Sequence, residues 1–177
     1  VGTAKVVICG KGVYTNSLTK TFTIRPETMA SAVITGCKAK YSYTGKQVKP
    51  LIQVVWNGKI LRNNTDYTLL YKNNKKRGSA GIVVTGKGNY SGTLAASFTI
   101  VRASVKKASV TGLKAVYART GKAVKPKVTV KLGGKKLKKK RDYILSYRKN
   151  KKKGTALLYV KGVGNYSGTK KMKFKIR

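Results

Sequence analysis

The sequence predicts an all-β protein made of tandem small antiparallel β-sandwich repeats. Three observations predict it: a gap-free internal period, apolar residues alternating at period two, and glycine-rich turns recurring at the same place in each period. The segment GSAGIVVTGKGNYSGTLAASFTI at 78–100 returns as GTALLYVKGVGNYSGTKKMKFKI at 154–176, and more loosely as GTAKVVICGKGVYTNSLTKTFTI at 2–24. The three starts, Gly2, Gly78 and Gly154, are each 76 residues apart. Residues 25–100 also lie on 101–176 without a gap, with YSYTGKQVKP over YARTGKAVKP and DYTLLYKNNKKRG over DYILSYRKNKKKG. The organisation expected is therefore 1–24 as the C-terminal part of an incomplete repeat, 25–100 as one repeat, and 101–177 as a second, strongly basic one.

Each element follows from local pattern. Tyr67, Leu69 and Tyr71 alternate, and Tyr143, Leu145 and Tyr147 repeat them. Ala80, Ile82 and Val84 match Ala156, Leu158 and Val160, while Phe98 and Ile100 match Phe174 and Ile176. Alternation with matched apolar positions predicts strands with one buried face. Asn57-Gly58 and Gly133-Gly134 stand where a two-residue hairpin would turn. Gly86, Gly88 and Gly92 punctuate the last connection, as do Gly162, Gly164 and Gly168. About six or seven short strands per repeat fit a small antiparallel sandwich. The chain opens partway through a repeat, which predicts a longer array upstream, and stops one residue past the last strand, which predicts a natural C-terminus. The plainer reading is that both ends mark only where the chain was cut.

The Y-x-x-TGK-x-VKP opening, the D-Y-x-L-x-Y strand and the G-x-G-N-Y-S-G-T…F-x-I ending resemble the Ig-like tandem repeats of secreted and cell-surface proteins of Gram-positive anaerobic bacteria. The resemblance covers the whole chain, with the first copy incomplete. It implies an extracellular or cell-surface location and a role as stalk, spacer, adhesive unit or wall-associating tail. It supplies no catalytic residues and no cofactor. A heavy lysine load sets this chain apart from a neutral spacer.

Charge is the outlying property. The chain has 41 Lys and Arg against 3 Asp and Glu, a formal net charge of +38. No fold gains stability from self-repulsion on that scale, so an external anion is expected to balance it. Residues 1–24, 25–100 and 101–177 carry +3, +10 and +25 of the total. Outward or loop positions account for the rise: Val55 becomes Lys131, Asn64 becomes Lys140, Thr65 becomes Arg141, and Leu94 becomes Lys170. A solvated face evolved for solubility is the plainer explanation, but a net charge of roughly 2–8 already suffices for a small domain.

The candidate polyanion-binding residues fall in three clusters. They are Lys135, Lys136, Lys138, Lys139, Lys140 and Arg141; then Arg148, Lys149, Lys151, Lys152 and Lys153; then Lys170, Lys171, Lys173 and Lys175. The first two flank the strand Asp142–Ser146, and at about 3.3 Å per residue lie some 15–20 Å apart. That spacing predicts a belt along the domain, not a pocket. A lysine belt suits diffuse attraction to a long polyanion, with affinity that falls steeply with salt. The expected partner is a teichoic-acid-like wall polymer, a surface glycan or DNA. DNA is the rival from charge alone, because most Tyr and Phe residues face inward and no nucleic-acid-binding signature is present.

Catalysis is not expected. There is no His, and Glu27, Asp66 and Asp142 are the only carboxylates, so histidine-dependent, zinc-histidine and paired-carboxylate chemistry lacks its parts. No metal site is expected. No apolar run is long enough to span a membrane, and a secreted form would carry its signal upstream. Asp66 and Asp142 share one repeat position; a metal ligand or isopeptide acid is the functional reading, a strand-start cap the plainer one. Tyr14, Tyr90 and Tyr166 are expected as corner tyrosines, with rings packed and hydroxyls bonded to backbone. Trp56 reads as a packing residue, with sugar stacking as the alternative. Cys9 and Cys37 leave a disulfide open. The alternatives to attachment are a structural stalk or fibre subunit, self-associating through the incomplete first repeat, and non-specific nucleic-acid binding.

Overall fold

A computed structural model describes residues 1–177, whose regular elements are all β-strands apart from one 3₁₀ turn at Val105–Lys107. The chain opens with β1 (Gly2–Cys9) and β2 (Ser17–Ile24). Next come β3 (Glu27–Thr28), β4 (Val33–Thr35), β5 (Lys40–Ser42), β6 (Gln53–Trp56) and β7 (Lys59–Ile60). They are followed by β8 (Tyr67–Lys72), β9 (Gly78–Gly86), β10 (Tyr90–Ser91) and β11 (Thr93–Val101). The remainder comprises β12 (Ala103–Ser104), β13 (Ser109–Thr111), β14 (Val116–Tyr117), β15 (Thr129–Leu132) and β16 (Lys135–Lys136). Last are β17 (Tyr143–Arg148), β18 (Gly154–Gly162), β19 (Tyr166–Ser167) and β20 (Thr169–Ile176). Shifted by 76 residues, β3 to β11 fall on β12 to β20 to within one residue at each boundary.

The chain forms two compact units, one of residues 1–39, 49–74 and 80–98, the other of residues 40–48, 75–79 and 99–177. In the first unit, β1 and β2 make an antiparallel hairpin from Gly2↔Ile24 to Cys9↔Ser17. Antiparallel pairing continues in β4-β6-β7 and between β8 and β9, while β3 and β10 pair in parallel. Met29, Val54, Ile82 and Val84 are sealed from solvent. The hairpin is not: Val6, Ile8, Phe22 and Ile24 are all roughly half exposed. One period on, Ile82, Val84, Phe98 and Ile100 hold the same positions and are buried.

In the second unit the larger sheet has the order β14-β20-β18-β17. β17 pairs with β18 from Tyr143↔Gly162 to Arg148↔Leu157, and β18 with β20 from Gly154↔Ile176 to Lys161↔Thr169. A smaller antiparallel sheet joins β13, β15 and β16. Both sheets feed one core: Val130 and Leu137 from one side, Leu158, Val160, Phe174 and Ile176 from the other, with Val105 from the 3₁₀ turn. Each fully buried aliphatic or aromatic side chain there contributes about 1.5–3 kcal/mol. The result is β-sandwich-like.

Pairing departs from the expected antiparallel scheme in four places. β14 adds to β20 in parallel, as β5 does to β11, β12 to β19 and β3 to β10. All of β15 to β19 lies between β14 and β20, and that much chain allows the return crossing that parallel pairing needs. Both two-residue turns form as expected. Asn57 and Gly58 have φ of 46° and 76°, and Gly133 and Gly134 have 54° and 75°. Two successive left-handed residues are what a type I′ turn requires, and glycine and asparagine tolerate them best.

Candidate polyanion interface

Alternation along β17, β18 and β20 sorts their side chains into two sets. Tyr143, Ala156, Leu158, Val160, Phe174 and Ile176 point into the core. The opposite face carries Arg148 from β17, Tyr159 and Lys161 from β18, and Lys171, Lys173 and Lys175 from β20. Register then spaces the charge. Lys171 stands opposite Tyr159, Lys173 opposite Leu157, Lys175 opposite Thr155, and Lys161 opposite Ile144. No two lysines of this face are directly opposed, which limits the repulsion that like cross-strand pairs suffer. The Arg148 guanidinium carbon lies 5.8 Å from the centre of the Tyr159 ring, within reach of a cation–π attraction.

The expected clusters are placed as follows. Lys135 and Lys136 form β16, and Lys138, Lys139 and Lys140 follow in the exposed loop before β17. Leu137, between them, is 3% exposed and pins that loop to the core. At the far end of β17, Lys149, Lys151, Lys152 and Lys153 are exposed around Asn150. The Asn150 amide donates to the Val124 carbonyl at 2.8 Å and the Val124 N–H to the Asn150 carbonyl at 2.7 Å. That anchor holds the four lysines outward around an open basin of about 500 Å³. Lys170 is set apart, because its ammonium donates to the Ala108 carbonyl at 2.7 Å from a partly buried position. Lys131 and Lys136 are direct cross-strand partners in β15–β16, a like-charge pair where the preceding repeat has Val55 and Ile60. The belt is thus a sheet face plus two loop clusters. Contrary to the expectation of a belt without a pocket, Lys135 and Arg141 also line a cavity.

Asp142 organises the loop before β17. Its carboxylate accepts from the Lys138 N–H at 2.8 Å and from Arg141 through Nε at 3.0 Å and a terminal nitrogen at 2.9 Å. The Arg141 hydrogen bond holds its carboxyl below the ordinary value; burial opposes this, and the Lys138 N–H assists. The same pairing raises Arg141. Asp66 repeats the cap on the Arg62 N–H at 2.8 Å. Both aspartates therefore serve as loop caps. No group of three or more His, Cys, Asp and Glu side chains comes together.

The tyrosine expectation is corrected. Tyr90 and Tyr166 are buried, but Tyr14 is 75% exposed, and the Tyr90 hydroxyl accepts from Lys59 Nζ at 3.2 Å and not from backbone. Hydroxyls that reach back along the chain include those of Tyr71, on the Pro50 carbonyl at 2.9 Å, of Tyr147, on the Pro126 carbonyl at 2.7 Å, and of Tyr117, which accepts from the Lys114 N–H at 2.8 Å and donates to the Gly112 carbonyl at 3.5 Å. Trp56 is fixed by its indole N–H on the Thr28 carbonyl at 3.0 Å and by edge contact with Tyr90. Cys9 and Cys37 are both free thiols. No helix is long and apolar enough to cross a membrane.

Sequence reasoning missed Tyr159 and Lys161. Their outward register was available from the alternation of Ala156, Leu158 and Val160, with Val83 and Thr85 as the repeat counterparts. Comparison with known protein families, curated proteins and solved structures finds no match.

Proposed function

We propose that this chain is a non-catalytic Ig-like repeat module of an extracellular or cell-surface protein, attaching to an anionic wall polymer or surface glycan. One observation carries the reading. The outer face of β17-β18-β20 holds Arg148, Lys161, Lys171, Lys173 and Lys175 around Tyr159. The preceding repeat has Lys72, Thr85, Ala95, Ser97, Thr99 and Val83 at those positions. The core residues Ala156, Leu158, Val160, Phe174 and Ile176 stay apolar while the outward ones turn cationic, so the change serves the surface and not the core. An extended face of spaced charge matches a repetitive polymer, whose displaced counterions supply the binding free energy. The outward-facing tyrosine adds a flat surface for a sugar ring.

The test is a salt series with the full chain against teichoic-acid-like polymer, sulfated glycan and DNA. Retention by wall polymer or glycan at physiological salt, with DNA released first, supports the reading. Tighter retention by DNA overturns it in favour of nucleic-acid binding, for which Tyr159 would be the stacking platform.

A second reading, assembly through β1–β2, is favoured by the exposed Val6, Ile8, Phe22 and Ile24. Residues 1–24 carry only +3 of the +38, so a second copy approaches there against the least repulsion. Sedimentation without added polyanion decides it: a fibre subunit associates, a monomeric anchor does not.

A further inference from the structure

A pocket of about 540 Å³ in the second unit gathers side chains from five separate stretches: Tyr43, Arg77, Arg102, Lys135, Arg141 and Tyr166. Lysines outnumber arginines 33 to 8 in this chain, yet three of the four cations here are arginines. Arginine offers a planar fork that grips an oxyanion with two parallel hydrogen bonds, where lysine offers only a point charge. The pocket's one acid, Asp142, is already engaged by Arg141 and by the Lys138 N–H. Its single negative charge leaves the lining with three uncompensated positive charges. Arg77 is steadied by a hydrogen bond to the Gly164 carbonyl at 3.4 Å.

The tyrosines give the pocket a second component. The Tyr43 and Tyr166 rings meet edge to face at 5.9 Å, and Lys135 Nζ lies 5.9 Å from the Tyr43 ring centre. A neighbouring pocket of about 500 Å³ shares both tyrosines and is edged by Ser42, Thr44, Ser104 and Lys107. Guanidinium groups thus line one of the two pockets that share the tyrosine pair, and hydroxyls, with Lys107, edge the other. The arrangement is particular to this place in the chain. One period earlier, Lys59 and Tyr90 stand for Lys135 and Tyr166, but Pro26 and Thr65 replace Arg102 and Arg141.

We propose that this pocket binds one phosphate group of a polyol- or sugar-phosphate unit, with Arg77, Arg102, Arg141 and Lys135 on the phosphate and the hydroxylated body across Tyr43 and Tyr166. The inference deepens the attachment reading: the sheet face draws in the polymer without regard to its units, and the pocket reads a single unit. Small probes separate the two, because a monomeric anion gains nothing from the counterion release that drives polymer binding.

The experiment titrates the full chain with glycerol 1-phosphate and, in parallel, with sodium sulfate, following amide chemical shifts at physiological salt. The expected result is saturable binding of glycerol 1-phosphate at one site, with shifts at Tyr43, Arg102 and Tyr166, tighter than for sulfate. R77Q and R102Q, both at exposed positions outside the core, each weaken it about tenfold. K171A together with K173S leaves it unchanged. Equal affinity for sulfate, unaltered binding in R77Q and R102Q, or absence of saturation overturns the proposal. If glycerol 1-phosphate fails while the full chain still holds the polymer, the pocket inference alone falls. If neither binds, both readings fall.

Discussion

Arg148 and Tyr159 meet on the outer face of adjacent strands, the guanidinium carbon 5.8 Å from the ring centre, in the one repeat where the face is cationic. In the preceding repeat the same two positions hold Lys72 and Val83. The pair joins a flat apolar surface to a guanidinium charge. Replacing Tyr159 with Val, the residue the earlier repeat already accommodates, should leave stability within about 0.5 kcal/mol. Loss of stacking on a sugar ring should cost about 1 kcal/mol of polymer affinity, roughly fivefold. Parallel urea unfolding and polymer titration of Y159V read both; unchanged affinity removes Tyr159 from the site.

Lys131 and Lys136 face each other directly across β15–β16. Like charges in that relation are destabilising, by up to about 1 kcal/mol. K136E should therefore raise the urea midpoint, and the gain should shrink as salt screens the pair. Polymer affinity should fall in the same variant. A variant that is no more stable than the parent at low salt would show that the two ammonium groups already avoid one another.

Asp142 gives the fold a defined acid dependence. Its folded-state carboxyl is held below the ordinary value, chiefly by Arg141. A depressed folded value contributes stability that is fully present above the unfolded value of about 3.9 and is lost as pH falls through the folded one. The parent should thus lose this contribution below about pH 4. D142N should be less stable than the parent near pH 6, by about 1–3 kcal/mol for the broken charged hydrogen bonds. Towards pH 3 the gap should narrow. A gap that stays constant between pH 6 and pH 3 would falsify the assignment.

The β1–β2 hairpin predicts a salt-dependent association. Val6 and Phe22 are 46% and 53% exposed, and screening lets two strongly positive copies approach. On the assembly reading, sedimentation should show association that increases with salt for the parent and is absent in a V6T/F22T variant, whereas a monomeric anchor shows none in either. Association that instead weakens with salt would place the contact among charged groups and away from the hairpin.

Much of this architecture could be read from local pattern. Tyr143, Leu145 and Tyr147 alternate, and alternation alone assigns their face. Asn57-Gly58 is legible because few dipeptides tolerate two left-handed residues in succession. The Asp66 and Asp142 caps were legible from their recurrence at strand starts. What stayed hidden depends on distant chain. The parallel edge strand β14 is only two residues long, and its partner β20 lies beyond five intervening strands. Two of the tyrosine hydroxyls that bond backbone, those of Tyr71 and Tyr147, reach prolines 21 residues upstream, so no short motif announces them. Arg102 stands alone in the sequence, and Arg77 closes the short run Lys75-Lys76-Arg77, far along the chain from Arg141. Only the folded chain brings them beside Arg141. Tyr159 was within reach of the pattern, but the inward habit of the other tyrosines masked it.

The most direct test of attachment through the sheet face compares two full-length chains on immobilised teichoic-acid-like polymer. One is the parent; the other carries K161T, K171A, K173S and K175T, each change taking the residue already present one repeat earlier. The account predicts retention of the parent at physiological salt and early release of the variant. It also predicts a slope of log affinity against log salt that is shallower by roughly 0.7–0.9 for each polymer phosphate no longer neutralised by a lysine. Elution of both chains at the same salt, with the same slope, would contradict it.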